Sequence, residues 1–273
     1  MKRFLMILSA LILSALILSA VALCPLASAA GGQPTEATPG YQQIDLSPAA
    51  SEKIDALVAE CRAQGFASQY DQALWLHDWL IANADYDTSF TNNTPDGVLI
   101  YGTGVCQSYT EAYHLMLDAL GIENCIIASD EMDHAWNLAR LDGAWCHIDC
   151  TWDDPVGGGF ENHSYFGADD GLMSRDHVWD RSAFPACDSL DNFYYLRMGV
   201  LCAEDEKGVL DGLNQQAAAG ATAIEIYYVG SDPDFSFDDL FDEWFDASAR
   251  DLGLRSCAYS TSGYYLFVTV EYA

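Results

Sequence analysis

The dipeptide Asp142-Gly143 constrains this chain more than any other feature. It stands between two stretches of alternating apolar and polar character, Ala135 to Leu141 and Ala144 to Trp152. Asp-Gly at that position favours a two-residue turn with positive φ at both residues, which joins antiparallel strands in one register. Leu141 then pairs with Ala144, and counting outward sets Asp149 opposite Trp136 and Thr151 opposite His134. Strand alternation puts His134, Trp136, His147, Asp149 and Thr151 on one face, with Asp149 a diagonal neighbour of His134. Cys146, Ile148 and Cys150 point to the other face.

The texture before the hairpin is helical. Ser47-Pro48 opens a stretch to about Gln64 with Ile54, Leu57, Val58 and Cys61 at helical spacing. A second helix runs from about Ser68 to Ala84. Asn92, Asn93, Pro95 and Gly97 mark a surface loop. A third helix is expected from Cys106 to Leu120, closed by Gly121, with Tyr109, Tyr113, Met116, Leu117 and Leu120 as its buried stripe. A short apolar strand follows at 124–128. Loops rich in Gly, Asp and Asn run from the hairpin to about residue 192. The tail then reads as strand (193–202), helix (204–218), strand (222–228), helix (236–250) and hairpin (255–260 with 264–272), a small α+β lobe.

The N-terminus reads as a leader. Lys2 and Arg3 precede an apolar run from Phe4 to Leu23, and Ala27-Ser28-Ala29 has the spacing that a signal peptidase reads. Residues 1–29 are therefore expected to be a signal peptide, with an uncleaved membrane anchor as the rival reading. Residues 30–46, rich in Gly, Pro, Thr and Gln, read as a linker. The protein is expected to be secreted or held at the cell surface, with such an anchor as its one link to a membrane.

Charge excludes a class of partners. With 11 Lys+Arg against 41 Asp+Glu, the formal net charge is −30. Nucleic acids and anionic membrane surfaces are both bound through basic clusters, so neither is an expected partner. Nine cysteines are present, one of them within the leader at Cys24. On a strand running through both, Cys146 and Cys150 would lie ~13 Å apart at their α-carbons, beyond the ~7 Å limit for a disulfide. No pair has zinc-ribbon spacing, and no metal or other cofactor is expected. Asp153 and Asp154 read as a solvated acidic turn, and His77 and His114 as packing or capping residues on their helices.

One cysteine stands apart. Cys106 follows Gly102-Thr103-Gly104-Val105 and begins the third helix, where unpaired N–H groups and the helix dipole stabilise a thiolate. The same N–H groups could hold an oxyanion. With His134 and Asp149 on one hairpin face, the residues of a Cys-His-Asp relay are present.

At this point the sequence resembles the transglutaminase-like superfamily, in its bacterial secreted branch of cysteine proteases and related enzymes. The likeness rests on Gly104-Val105-Cys106-Gln107-Ser108-Tyr109, His134-Ala135-Trp136-Asn137, and Asp142-Gly143 through Trp145 to His147-Ile148-Asp149. It extends to Leu76-His77-Asp78-Trp79, Tyr86-Asp87, Thr151-Trp152-Asp153-Asp154-Pro155, Tyr165-Phe166 and His177-Val178-Trp179. The resemblance implies an α+β, papain-like transglutaminase-core fold over residues 47–192, with residues 193–273 as a separate lobe of unassigned role. It implies Cys106 as nucleophile, His134 as general base and acid, and Asp149 as orienter. Tyr101, Gln107 and Trp136 are candidates for oxyanion or substrate binding, Trp136 by lining an acyl-acceptor channel. Ser108 stands where this branch commonly has glycine, which bears on how closely a substrate backbone approaches.

The expected activity is cleavage or transfer of amide bonds in a peptide or protein substrate through a thioester, with peptidase action favoured over transglutamination. Two other readings stand beside it: a non-catalytic peptide- or cell-wall-binding module on the same fold, and a cell-wall amidase of another papain-like type.

Overall fold

A computed structural model describes residues 44–154, 156 and 162–273. The expected leader and most of the linker lie outside these residues. Among the described residues, no helix is long and apolar enough to cross a membrane.

Three helices form the first layer: α1 (Pro48–Ala63), α2 (Gln69–Asn83) and α3 (Cys106–Leu120). Each start has a local cause. The Ser47 hydroxyl accepts from the Ala50 amide at 3.2 Å, with Pro48 opening the helix, and the Ser68 hydroxyl accepts from the Asp71 amide at 3.0 Å. α3 is different: its N-cap is Val105, which offers no side-chain acceptor, so its leading amides are not capped by the chain's own N-cap side chain. Gly121, at φ 80°, closes it.

Between α2 and α3 the chain pairs β1 (Asp85–Tyr86) in parallel with β2 (Thr103–Gly104), enclosing a five-residue π-helical turn, Gly97–Tyr101. An antiparallel sheet then forms in the order β3 (Asn124–Ser129), β4 (His134–Leu141), β5 (Ala144–Ile148), β6 (Phe166–Ala168). The register at Asp142-Gly143 is the expected one, Leu141 with Ala144 through Asn137 with Ile148. Both turn residues have positive φ, 50° and 99°.

The sheet has two covered faces. Cys146, Ile148 and Cys150 join Ala139, Leu141 and Phe166 in the core under α1, α2 and α3. Trp136 and Leu138 pack on the other face with Met173 and Cys187, beside the short helix α4 (Asp170–Met173). Among the described residues, seven cysteines are free thiols: 61, 106, 146, 150, 187, 202 and 257.

The second sheet follows α5 (Tyr194–Arg197) and has the order β7 (Leu201–Ala203), β8 (Ala223–Tyr228), β10 (Tyr265–Tyr272), β9 (Leu254–Ser262). Helices α6 (Glu206–Ala218) and α7 (Phe237–Ser248) pack on it around Ile224, Ile226, Leu266 and Val268. The alternation of helix and sheet is α+β throughout, as the sequence led us to expect.

Three expectations are corrected. β5 ends at Ile148 and does not run on to Trp152, because the Asp149 side chain turns the backbone: its Oδ1 accepts the amides of Thr151 at 2.9 Å and Trp152 at 3.2 Å. Thr151 therefore does not face His134, whose strand partner is Ser129, and Cys150 lies in a turn, not on a strand. The expected strand 193–202 is a helical turn and a three-residue strand separated by Gly199 at φ 79°. The stretch expected to be all loop contains β6, tied down at Gly167, where a Cβ would lie 1.6 Å from the Asn192 carbonyl oxygen.

Candidate active site

Cys106 is the first residue of α3 and half-buried. Its approach is locked by backbone pairing. The Asp85 amide donates to the Gly102 carbonyl at 3.0 Å, that of Asp87 to Gly104 at 2.9 Å, and that of Val105 to Asn92 at 2.9 Å. Gly104 has no room for a side chain, since a Cβ would meet Ser108 Cβ at 2.6 Å. Ser108 is fully buried and its hydroxyl donates to the Asn92 carbonyl at 2.7 Å. Ser108 thus braces the loop that carries Cys106 from inside.

His134 begins β4 and Asp149 follows β5, so the hairpin register brings them together. Asp149 Oδ2 lies 2.6 Å from His134 Nε2, and Asp149 is 1% exposed. Burial works against the Asp149 charge, but His134 and His177 hold its carboxyl well below the usual range. Burial likewise opposes the charge on His134. The Asp149 carboxylate, followed by the hydrogen bond and charge of Cys106, outweighs it and raises this imidazole to about 10. With Nε2 committed to Asp149, Nδ1 is the nitrogen left for the Cys106 sulfur. Trp136 stacks on the ring at 5.8 Å and Trp152 lies against it at 5.5 Å, which fixes its plane.

The three candidate binding residues differ in their surroundings. Tyr101, at the end of the π-helical turn, is 68% exposed. The Gln107 side chain runs along α3 and donates to Glu111 at 2.8 Å. Trp136 is fully buried and donates to His147 Nδ1 at 3.0 Å, so it supports the His134 ring from beneath and lines no open channel.

Three further residues stand near the relay. Tyr86, paired with Gly104, has a phenol raised to about 12 by burial and then by the neighbouring Cys106, Asp133 and Asp87 charges. Trp152 is the part-exposed aromatic ring beside His134. His177, which sequence reasoning left without a task, donates from Nε2 to the same Asp149 oxygen at 3.0 Å. Its position after a long irregular loop carries no periodicity from which that contact could be read.

Asp153 and Asp154 are not a solvated turn. Asp153 is fully buried, 3.1 Å from His77 Nε2, and Asp154 accepts from the Tyr109 hydroxyl. His77 Nδ1 lies 3.1 Å from Asp78, which also meets His163 Nε2 at 2.8 Å. His77 is therefore more than a packing residue. Burial opposes its charge, yet Asp153 and Asp78 raise it to about 9.

Among the described residues, three clusters have ligand-type atoms close enough to hold a metal: His134-Asp149-His177, His77-Asp78-His163 and His147-Asp170-Cys187. The first fits poorly. His134 Nε2 and Asp149 Oδ2 are 2.6 Å apart, so an ion at ~2.0 Å from each would subtend an angle of about 80°, far from tetrahedral. In the third, His147 Nδ1 accepts the Trp136 N–H, which leaves the proton on the Nε2 that faces Asp170.

The arrangement is a thiol at a helix N-terminus beside an imidazole that a buried carboxylate orients. Residues 55–150 match the sequence model of the transglutaminase-like superfamily. Among solved structures, the chain is similar to one described as the crystal structure of a TGase, at 16% identity and a TM-score of 0.36, covering 43% of this chain and 36% of that one. It is also similar to a putative cysteine protease from Cytophaga hutchinsonii, at 20% identity and a TM-score of 0.31, covering 39% of this chain and 43% of that one. The chain thus spans less than half the length of either structure. No curated protein matches it. The stretch that matches the transglutaminase-like superfamily, residues 55–150, is the one that carries Cys106, His134 and Asp149.

Proposed function

We propose that this protein is an exported thiol enzyme that cleaves amide bonds in peptides or proteins, with Cys106, His134 and Asp149 as its catalytic residues. The observation that carries the reading is the position of His134, whose Nε2 lies 2.6 Å from Asp149 Oδ2 while the neighbouring Cys106 helps to raise its imidazole. The leader-like residues 1–29 support export.

The Cys106 thiolate attacks the carbonyl carbon, and the C=O π pair moves onto oxygen. The leading amides of α3, at Cys106 and Gln107, have no intrahelical acceptor and face that developing charge. When the tetrahedral intermediate collapses, the C–N bond breaks and the amine leaves with the proton of His134. The thioester then meets water, which gives up a proton to His134 and attacks, releasing the acid and restoring the thiolate–imidazolium pair. A primary amine in place of water gives transfer. The partial exposure of Cys106 supports hydrolysis, because transfer needs water kept out. The net charge of −30 favours cationic substrates by long-range attraction.

The test is incubation of the purified protein with casein, with and without a fluorescent primary amine, comparing wild type with Cys106→Ala. Fragments lost in the variant support peptidase action, and dye incorporation identifies transfer. Neither signal on several protein substrates favours the binding module. Release of fragments from peptidoglycan alone identifies a cell-wall amidase.

A further inference from the structure

Asp149 has a second histidine. Its Oδ2 lies 2.6 Å from His134 Nε2 and 3.0 Å from His177 Nε2, while its Oδ1 takes the amides of Thr151 and Trp152. The contacts continue outward. His177 Nδ1 lies 2.6 Å from Asp176 Oδ1, and Asp176 Oδ2 accepts the Tyr165 hydroxyl at 2.6 Å. His177 is buried in a box of rings, with Trp152 at 4.2 Å, Trp136 at 5.0 Å and Tyr165 at 5.2 Å.

We propose that His177 is a positioning residue that supplies a second cation to the Asp149 oxygen that holds His134, and so sets how tightly His134 keeps the proton it delivers. The inference rests on the thiol-enzyme reading above and deepens it. Both nitrogens of His177 meet carboxylate oxygens, and a carboxylate only accepts, so the ring carries both N–H groups and a positive charge. Burial opposes that charge, and the Asp149 and Asp176 hydrogen bonds override it. The ionisable groups around it are Asp149 and His134 at the hairpin end, His147 on β5, Tyr165 before β6, and Asp176 on its own segment. His147 faces it as a neutral ring, since burial lowers that imidazole.

A lone buried carboxylate would bind the His134 imidazolium so strongly that proton transfer to the leaving amine became slow. Division of one oxygen between two cations weakens that hold while keeping the ring oriented. The sign of the effect of removing His177 follows: one positive charge fewer and Asp176 left uncompensated both raise the proton affinity of His134.

The experiment uses the full chain and His177→Gln, which keeps an N–H donor for Asp149 but not the charge. The rate of alkylation of Cys106 by iodoacetamide is followed against pH by mass spectrometry of its peptide, a readout that needs no substrate. Its inflection where His134 loses a proton is expected to rise by about one pH unit in the variant. With casein, kcat is expected to fall roughly tenfold with KM little changed. An inflection that stays where it is in wild type, with the variant folded, overturns the proposal. If the variant does not fold, 15N NMR of wild type labelled at histidine decides: His177 with both ring protons at pH 7 supports the proposal, and a neutral tautomer overturns it. A wild-type Cys106 no more reactive than a free thiol would count against the thiol-enzyme reading itself, while the NMR measurement still decides the charge on His177.

Discussion

The Asp149 carboxylate and the His134 imidazole meet at 2.6 Å across the open end of a hairpin whose far end is the Asp142-Gly143 turn. Five residues separate the turn from Asp149, so the contact exists only if the register holds along the whole ladder. Asp149→Asn tests what the charge does there. The amide fits the same space and can still accept a hydrogen bond, but it does not stabilise the imidazolium. We expect kcat on casein to fall by about 10²–10⁴-fold with KM little changed. The pH at which His134 loses its proton should drop from about 10 towards the ordinary histidine range, as seen in the alkylation profile of Cys106.

The His77 imidazole, fully buried between Asp153 and Asp78, makes stability depend on pH. Its folded value, about 9, lies above the ordinary 6.5, so its contribution is complete below about pH 6.5 and is lost as pH rises through 9. The loss is on the order of 3 kcal/mol. Urea unfolding at pH 6 and pH 9.5 should show that wild type loses more stability between the two than His77→Gln does. The variant should already be weaker at pH 6 by about 3–5 kcal/mol, because the Asp153 carboxylate keeps its burial and loses its cation. Equal pH dependence in the two proteins would mean that His77 is neutral.

Gly104→Ala separates the placement of the nucleophile from the stability of the fold. An added Cβ would lie 2.6 Å from Ser108 Cβ, 2.8 Å from its Oγ and 2.8 Å from Val98 Cγ1. Relief requires the start of α3 to shift, and Cys106 is its first residue. A misplacement of that kind costs about 10²-fold in activity. Ser108→Gly in the same chain removes two of the three clashing atoms and should restore part of the rate. Casein assays of the single and double variants, with melting temperatures as a control, check this.

What the sequence made legible is what local chemistry dictates. The Asp-Gly turn imposes its own backbone signs, Ser47-Pro48 and Gly121 mark helix ends by satisfying or releasing backbone groups, and period-two alternation assigns His134, Trp136 and Asp149 to one face. Depth is another matter. Alternation places Trp136 on the site face but is silent on the Met173 and Trp179 side chains that cover it. Asp153 reads as solvated because its partner, His77, is 76 residues away, and a buried charge is recognisable only through the group that compensates it. β6 has three residues, too few for a period, and its strand character comes from β5 alongside. Asp149 ends its own strand by capturing two amides, a side-chain event that strand propensity does not register.

Arg175 ties the turn after α4 to the end of β8 and stands two residues from His177. Its guanidinium donates to the carbonyl of Tyr228 at 3.0 Å and to that of Gly230, and it lies 4.1 Å from the centre of the Tyr264 ring. Lysine cannot reproduce this, having no planar fork to reach two carbonyls while stacking on a ring. We therefore expect Arg175→Lys and Arg175→Ala to weaken the contact alike, by about 2–3 kcal/mol in urea unfolding. Because the His177 amide donates to the Met173 carbonyl at 2.9 Å, the turn that carries Arg175 also carries His177. Loosening it should lower kcat on casein as well as stability, although Arg175 touches neither Cys106 nor His134. Full activity in a destabilised Arg175→Ala would show that the C-terminal lobe acts only as structural support, whereas parallel losses would tie it to the geometry around Asp149.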